Sequence, residues 1–79
     1  MVNKESEIAR CVRQAMAEYF KDLDGEQPRA IYEMVIGCVD KPLIEFVLEY
    51  AQGNQAKAAG ILGVSRNTLR KKMLQYGIK

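Results

Sequence analysis

The sequence predicts an all-α protein of four helices, the last two of which form a helix-turn-helix. Three observations predict it. Apolar residues recur at helical spacing over most of the chain, the breaks contain glycine or proline beside capping residues, and no stretch alternates as a β-strand would. With 79 residues, the chain forms one domain at most. Within this domain, we assign residues 5–51 to a dimerisation core and residues 53–79 to the helix-turn-helix unit.

The charged residues are distributed unevenly along the chain. Residues 1–53 hold six basic and all ten acidic residues, a net charge of −4, whereas residues 54–79 hold six basic residues and no acidic one, a net charge of +6. A basic segment without acids is typical of a surface that faces a polyanion. Charge alone does not show whether the polyanion is a nucleic acid or an acidic membrane. The residue pattern within the basic segment is needed to distinguish the two.

The composition excludes several classes of function. The chain has no histidine, and its two cysteines, Cys11 and Cys38, are 27 positions apart, which excludes the usual zinc-site spacings and histidine-dependent catalysis. We therefore expect no enzyme activity, no metal, no cofactor and no small-molecule substrate. No apolar run reaches the ~18 residues that would cross a bilayer, and residues 1–5 lack the apolar region of a signal peptide. We expect a cytoplasmic protein without membrane contact, with both thiols reduced and buried.

The first helix is predicted over residues 5–23, where apolar residues follow i, i+3, i+4 spacing. Ser6 is suited to cap its first turn, and Gly25 is suited to the positive φ of the turn that follows. Pro28 is predicted in the first turn of a second helix over residues 28–51.

The second helix is the most apolar segment of the chain. A helix with one solvent-exposed face has apolar residues along one side, whereas here they occupy most sides. We expect its own domain to cover one side and a partner subunit to cover the other. Pro42 leaves two alternatives open. It either ends one helix and begins another, which would give five helices, or kinks one long helix.

Residues 53–76, GNQAKAAGILGVSRNTLRKKMLQY, carry the features of a helix-turn-helix. Asn54 is suited to cap a short helix over residues 55–62. In this helix the small residues Ala58 and Ala59 allow a second helix to cross closely.

The final helix follows a turn at Gly63, which tolerates positive φ, and has Ser65 as its predicted N-cap. We expect it to run to about residue 75. Lys72 stands where an apolar residue is expected, so we expect Met73 to take its packing role through a slight rotation of the helix. The predicted buried stripe has i, i+4, i+7 spacing and consists of Leu69, Met73 and Tyr76.

The polar residues of this unit predict contacts with double-stranded DNA. The first turn of a recognition helix enters the major groove, where Arg66 is suited to pair with O6 and N7 of guanine and Asn67 is a second reader. Ser65, Thr68 and the N–H groups at the start of the helix suit phosphate oxygens. The remaining predicted phosphate contacts are Asn54, Arg70, Lys71 and Lys72.

The segment GNQAKAAGILGVSRNTLRKKM, preceded by AIYEMVIGCVDKPLIEFVLEYA, closely resembles the Fis family, the bacterial nucleoid-associated factors for inversion stimulation. The resemblance runs from about residue 8 to the C-terminus. It implies a homodimer in which the first two helices of each subunit intertwine, with one long second helix kinked at Pro42. It also implies DNA contacts at Asn54, Arg66, Thr68, Arg70, Lys71 and Lys72.

Two positions depart from the family pattern. Ala56 stands where a hydroxyl side chain often contacts a phosphate, and Ser65 stands where asparagine is common. These departures concern two backbone contacts and not the fold. Full-length members of the family also carry an N-terminal β-hairpin arm that activates DNA invertases. Because only about seven residues precede the first helix here, we expect that activity to be absent.

We therefore predict a dimeric, nucleoid-associated transcriptional regulator that binds and bends DNA. One alternative is the DNA-binding domain of an enhancer-binding transcriptional activator. Such activators carry a phosphate-binding loop, G-x-x-x-x-G-K-[ST], that this sequence lacks, and an initiating Met1 favours a complete chain. A second alternative is a helical protein-interaction module without a DNA role, which the acid-free C-terminal segment does not favour.

Overall fold

The computed structural model describes residues 5–79, which fold into four α-helices as predicted. No strand occurs between residues 5 and 79, so the all-α class is confirmed. The chain divides into two compact units after Ala30, and each is described by itself. The polar segment at residues 1–4, part of the argument against a signal peptide, lies outside the described residues. The helices are α1 Glu7–Asp22, α2 Ile31–Tyr50, α3 Gln55–Leu62 and α4 Arg66–Tyr76.

Helix α1 forms most of the first unit. It begins after Ser6, whose Oγ accepts a hydrogen bond from the backbone N–H of Ala9 at 3.1 Å, so the predicted cap is confirmed. Glu7 in the first turn and Lys21 in the last turn carry the charges that the helix dipole favours. No residue of α1 is buried, and Ile8 is 75% exposed. The apolar stripe of this helix therefore lies largely open.

Helix α2 starts later than predicted. Pro28 precedes the helix, which begins at Ile31, so its predicted place in the first turn is wrong. The reason is Ala30, whose φ of 50° is left-handed and cannot belong to a right-handed helix. Pro42 lies inside one uninterrupted helix, so the alternative of two separate helices is wrong. Because proline has no N–H, the carbonyl of Cys38 lacks its usual helical donor there.

The turn between α2 and α3 is formed by residues with positive φ and is followed by the predicted cap. Gln52 and Gly53 have positive φ values of 55° and 80°, and the N–H of Gly53 donates to the carbonyl of Leu48 at 2.9 Å. This arrangement closes α2 and satisfies one of its terminal carbonyls. Asn54 then caps α3, since its Oδ1 accepts from the N–H of Lys57 at 3.1 Å.

The hydrophobic core of the second unit is small and lies where the second half of α2 meets the helix-turn-helix. Ala58 and Ala59 are 0% and 3% exposed, which confirms them as the small residues at the helix crossing. Leu69 and Met73 are buried and Tyr76 packs against the core, so the predicted stripe of α4 is also confirmed. The buried residues are Ile44, Val47, Leu48, Ala51, Ala58, Ala59, Leu69 and Met73.

The prediction that both thiols are buried is wrong for the single chain. Cys11 and Cys38 are free and exposed. The reason is their position, because every buried residue of the described part of the chain lies between Ile44 and Met73.

Candidate nucleic-acid interface

The turn between α3 and α4 sets the course of the recognition helix. Gly63 has a φ of 78°, in the region that glycine adopts without strain. Its N–H and that of Val64 both donate to the carbonyl of Ala59, at 2.9 and 3.0 Å. Val64 and Leu62 pack against the core on either side of the glycine. The turn is therefore closed by backbone hydrogen bonds and anchored by apolar side chains.

Ser65 caps the N-terminus of α4, as predicted. Its Oγ accepts a hydrogen bond from the N–H of Thr68 at 3.1 Å and donates one to Oγ1 of Thr68 at 3.0 Å. The side chains of these two predicted phosphate ligands therefore contact each other. Arg66 and Asn67 occupy the first turn, where backbone N–H groups have no partner within the helix. This end of α4 offers an anion both N–H groups and the positive end of the helix dipole.

Four of the predicted DNA contacts form one exposed face of α4. All four side chains are exposed, whereas Leu69 and Met73 of the same helix are buried. No ion pair within residues 5–79 engages their cationic groups. Neither α3 nor α4 contains an acidic residue, so nothing on these two helices neutralises the face. We call this surface the basic face; it consists of Arg66, Asn67, Arg70 and Lys71.

Lys72 lies apart from the basic face. Its Nζ donates to Oδ2 of Asp40 in α2 at 2.8 Å, and the hydroxyl of Tyr76 donates to the same oxygen at 3.0 Å. The Asp40 side chain is 18% exposed and that of Lys72 is 35% exposed. Sequence analysis placed Lys72 among the phosphate contacts, whereas the structure places its ammonium on a carboxylate of the same chain.

The three groups alter one another's acidity. The hydrogen bond from Lys72 holds the pKa of Asp40 below its ordinary value of 3.8. The same bond raises the pKa of Lys72 above 10.5. Burial, followed by its hydrogen bond to Asp40, raises the pKa of Tyr76 above 10.0. All three therefore keep their usual protonation states at neutral pH.

Asp40 did not emerge from the sequence analysis, although a signal for it was present. Lys72 lies three residues after Leu69 and four before Tyr76, on the buried side of α4. Asp40 lies four residues before Ile44, on the side of α2 that is also buried. A cation on one inward face requires an acid on the facing helix, and the spacing identifies Asp40 as that acid.

The start of α3 brings one further cation near the predicted site. Asn54 is exposed and caps α3. Nζ of Lys57, in the first turn, lies 5.9 Å from the centre of the Tyr50 ring, within the range of a cation–π contact. Ala56 has no hydroxyl to offer. Sequence analysis did not select Lys57, whose packing on Tyr50 depends on the course of the preceding turn.

Two features bear on other classes of function. Between residues 5 and 79, no helix has the length and apolar character that crossing a membrane requires. In the same range, no three cysteine or acidic side chains are grouped so that they could hold a metal ion.

The fold and the site define a helix-turn-helix protein, with two short helices crossing on a small core and the second presenting a basic face. Residues 37–76 match the sequence profile of the family described as "Bacterial regulatory protein, Fis family". The chain belongs to the Fis family.

Known relatives extend the similarity over most of the chain. A "Putative Fis-like DNA-binding protein" of Neisseria meningitidis is 50% identical over 72 residues, which cover 91% of this chain and 91% of the relative. The protein of the same description from Ralstonia nicotianae is 49% identical, over 90% of this chain and 92% of the relative. A "DNA-binding protein Fis" of Actinobacillus succinogenes is 41% identical, over 99% of this chain and 84% of the relative.

Proposed function

We propose that this Fis-family protein is a homodimer that binds and bends double-stranded DNA and regulates transcription on the bacterial nucleoid, in the cytoplasm. The observation that carries the proposal is the basic face of α4, which is exposed and acid-free, on a helix that Leu69 and Met73 anchor in the core. The relatives are named as DNA-binding proteins and the family as regulatory, which supports a regulatory and non-enzymatic role. Their names give no support to the tail of an enhancer-binding activator.

The basic face divides into readers and anchors. Arg66 and Asn67 lie in the first turn of α4, the part of a recognition helix that reaches base edges, and Arg66 pairs with guanine through O6 and N7. Arg70 and Lys71, one turn later, contact the phosphates that flank the groove. Ser65 and Thr68 and the free N–H groups beside them bind a further phosphate, and Asn54 lies at the start of α3, which supplies a second clamp.

The exposed apolar residues of α2 support dimerisation. Six of them are spaced alternately four and three residues apart, the heptad spacing by which two helices pack together. This stripe is distinct from the buried residues of α2, and Phe46 within it is 71% exposed. A contiguous apolar stripe of this kind suits a second copy of the same chain, in a symmetric interface. We call it the heptad stripe; it consists of Tyr32, Ile36, Val39, Leu43, Phe46 and Tyr50.

Bending follows from the size of the subunit. Two recognition helices fit straight DNA when they lie about 34 Å apart, one helical turn. A dimer of chains this short has little material to hold them at that distance, so both readers enter adjacent major grooves only if the duplex curves between them. Such a bend costs on the order of 1–6 kcal/mol, and less where the central base pairs are easily deformed. Site preference should then depend on central bases that no side chain contacts.

A binding titration with point variants tests the readers and the anchors. A preferred site is first selected from random duplexes, and its affinity is compared with that of a random duplex. Arg66→Ala should narrow the difference between the two by about 1–3 kcal/mol. Lys71→Ala should weaken both alike and reduce the slope of log K against log salt by about 0.9.

Lys21→Ala removes an exposed cation from α1 and is the matched control, which should leave site preference and slope nearly unchanged. An Arg66→Ala protein with full site preference would exclude Arg66 as the reader. A circular-permutation mobility assay tests the bend, and fragments that migrate alike wherever the site lies would exclude it.

A further inference from the structure

We propose that Asp40 withholds Lys72 from DNA, so that Lys72 is a positioning residue that fixes α4 on α2 rather than a phosphate contact. The proposal rests on the proposed function, since it concerns which cations of the helix-turn-helix neutralise DNA phosphates.

The first argument is the geometry of the three groups. One oxygen of Asp40 accepts hydrogen bonds from two side chains of α4, from Lys72 at 2.8 Å and from Tyr76 at 3.0 Å. The two donors lie one helical turn apart on the same side of α4, so together they fix the rotation of α4 about its own axis. The rotation of α4 in turn determines the direction in which Arg66 projects.

The second argument is the surroundings of the pair. Asp40 and Lys72 line a cavity of about 100 Å³ where α2, α3 and α4 meet, and every other side chain that lines it is apolar, Ile44 and Leu69 among them. Water solvates an ion pair less in such surroundings than on an open surface, so the attraction between the two charges is less screened. The ammonium would have to leave this partner before it could contact a phosphate.

The third argument concerns counterions. A lysine that binds a phosphate releases a condensed cation from DNA and so contributes about 0.9 to the salt dependence of binding. Lys72 is already neutralised by Asp40, so in this state it contributes nothing to that dependence. Arg66, Arg70 and Lys71 have no such partner between residues 5 and 79 and contribute in full.

The test is a charge-matched set of variants, in which the slope of log K against log salt is measured on a random duplex. Lys72→Gln should leave the wild-type slope unchanged. Asp40→Asn should free the ammonium, tighten binding at low salt and steepen the slope by about 0.9. Asp40→Asn combined with Lys72→Gln should return the slope to the wild-type value.

Glu45→Gln controls for the general effect of one acid less, because it removes the same charge from an exposed position of α2. It should steepen the slope far less than Asp40→Asn does. Asp40→Glu keeps the carboxylate and should therefore have the same slope as the wild type. Circular dichroism of each variant verifies that its helix content matches that of the wild type. If the pair had a purely structural role, none of the substitutions would change the slope of log K against log salt.

Two results would overturn the proposal. A slope that Lys72→Gln reduces by about 0.9 would make Lys72 a phosphate contact, and equal slopes for Asp40→Asn and Glu45→Gln would show that Asp40 withholds nothing. Neither result contradicts DNA binding itself. If the proposed function fails instead, the wild-type protein shows no salt-dependent binding to any duplex.

Discussion

The two ends of the chain differ in where their apolar side chains lie. From Ile44 to Met73, eight apolar residues form a core that this chain closes by itself. In α1 and the first half of α2, no residue is buried, although apolar residues are as frequent there. Both regions have the apolar content of a folded domain, but only the helix-turn-helix region buries it within one chain.

The difference indicates which parts of the fold one chain stabilises with a core of its own. A 16-residue helix is at best marginally stable in water, and α1 has no buried residue to stabilise it. The helix-turn-helix is stabilised by residues of α2 that are adjacent to it in sequence. We therefore expect the C-terminal region to respond to changes in its own core, and the N-terminal region to respond to changes that affect assembly.

The largest effect is expected in the core of the C-terminal region. Leu69 is 1% exposed, and Leu69→Ala should lower the free energy of unfolding by about 2–5 kcal/mol, because the cavity left behind closes only partly. Leu74 lies on the same helix and is 79% exposed, so Leu74→Ala should change stability by less than about 0.5 kcal/mol. Denaturant unfolding at one fixed protein concentration measures both. Equal effects of the two variants would contradict the description of this core.

The next largest effect is expected on self-association, from a substitution in the heptad stripe. Phe46 is 71% exposed in the single chain, so Phe46→Glu should not disturb the subunit itself. In a dimer, each copy would lose about 1.5–3 kcal/mol of apolar burial, and the dimerisation constant should fall on the order of 100-fold or more.

Sedimentation equilibrium measures the effect of Phe46→Glu, with Glu45→Gln as the control at the neighbouring exposed position. A thermal midpoint that depends on protein concentration in the wild type, and no longer does so in Phe46→Glu, would support the same conclusion. Unchanged self-association of Phe46→Glu would remove the proposed interface. The exposed apolar residues of the N-terminal region would then need another explanation.

A smaller effect on stability is expected from glycine substitutions in and near the turn between α3 and α4. A Cβ added at Gly63 meets no atom within 4 Å, so the cost of Gly63→Ala is the strain of a positive φ, roughly 1–2 kcal/mol. Gly60 has the same open space but lies within α3, and Gly60→Ala should stabilise the protein by about 0.5–1 kcal/mol. Thermal unfolding of the two variants should therefore shift in opposite directions. A shift in the same direction would mean that the positive φ of Gly63 is not what makes Gly63→Ala costly.

The sequence predicted the C-terminal region more closely than the rest for a physical reason. The caps at Ser65 and Asn54 and the left-handed Gly63 act within four residues of themselves, so their consequences can be read locally. The left-handed Ala30 has no such local signature, and the start of α2 was misplaced because of it.

Features that depend on distant parts of the chain were the ones missed. Asp40 and Lys72 are 32 residues apart, and only the packing of α2 on α4 brings them together. Burial of Cys11 and Cys38 was inferred from composition, but exposure depends on what covers a helix face. The basic face itself was predicted, because an exposed face is what remains once the buried stripe of α4 is known.

The smallest effect concerns the ion pairs, which also differ between the two regions. In the N-terminal region, Arg13 pairs with Glu5, and the Arg13 side chain is 77% exposed. Exposed pairs of this kind contribute little, so Arg13→Gln should leave stability nearly unchanged. In the C-terminal region, the Asp40 side chain is only 18% exposed, and its pair with Lys72 should produce a pH-dependent difference between wild type and Asp40→Asn.

The pH range of that difference follows from the direction of each shift. Because the hydrogen bond from Lys72 lowers the pKa of Asp40 in the folded state, its contribution is present above pH 3.8 and is lost as the pH falls through the lowered value. The pKa values of Lys72 and Tyr76 are raised, by the bond to Asp40 and by burial respectively. Their contributions are therefore complete below 10.5 and 10.0 and are lost as the pH rises further. Among residues 5–79, the only other charged or titratable group that contributes to these shifts is Tyr32, which acts on Lys72.

The free energy of unfolding, measured with denaturant at a series of pH values, should therefore differ most between wild type and Asp40→Asn from about pH 4 to pH 10. Once the pH is below the lowered pKa of Asp40, this group is protonated in both folded and unfolded wild type, so the two proteins should converge. Above this range the loss of protons from Lys72 and Tyr76 should bring them together again. A difference that persists undiminished well below the lowered pKa of Asp40 would show that the carboxylate charge does not stabilise α4, and the contrast with the exposed pair of α1 would then disappear.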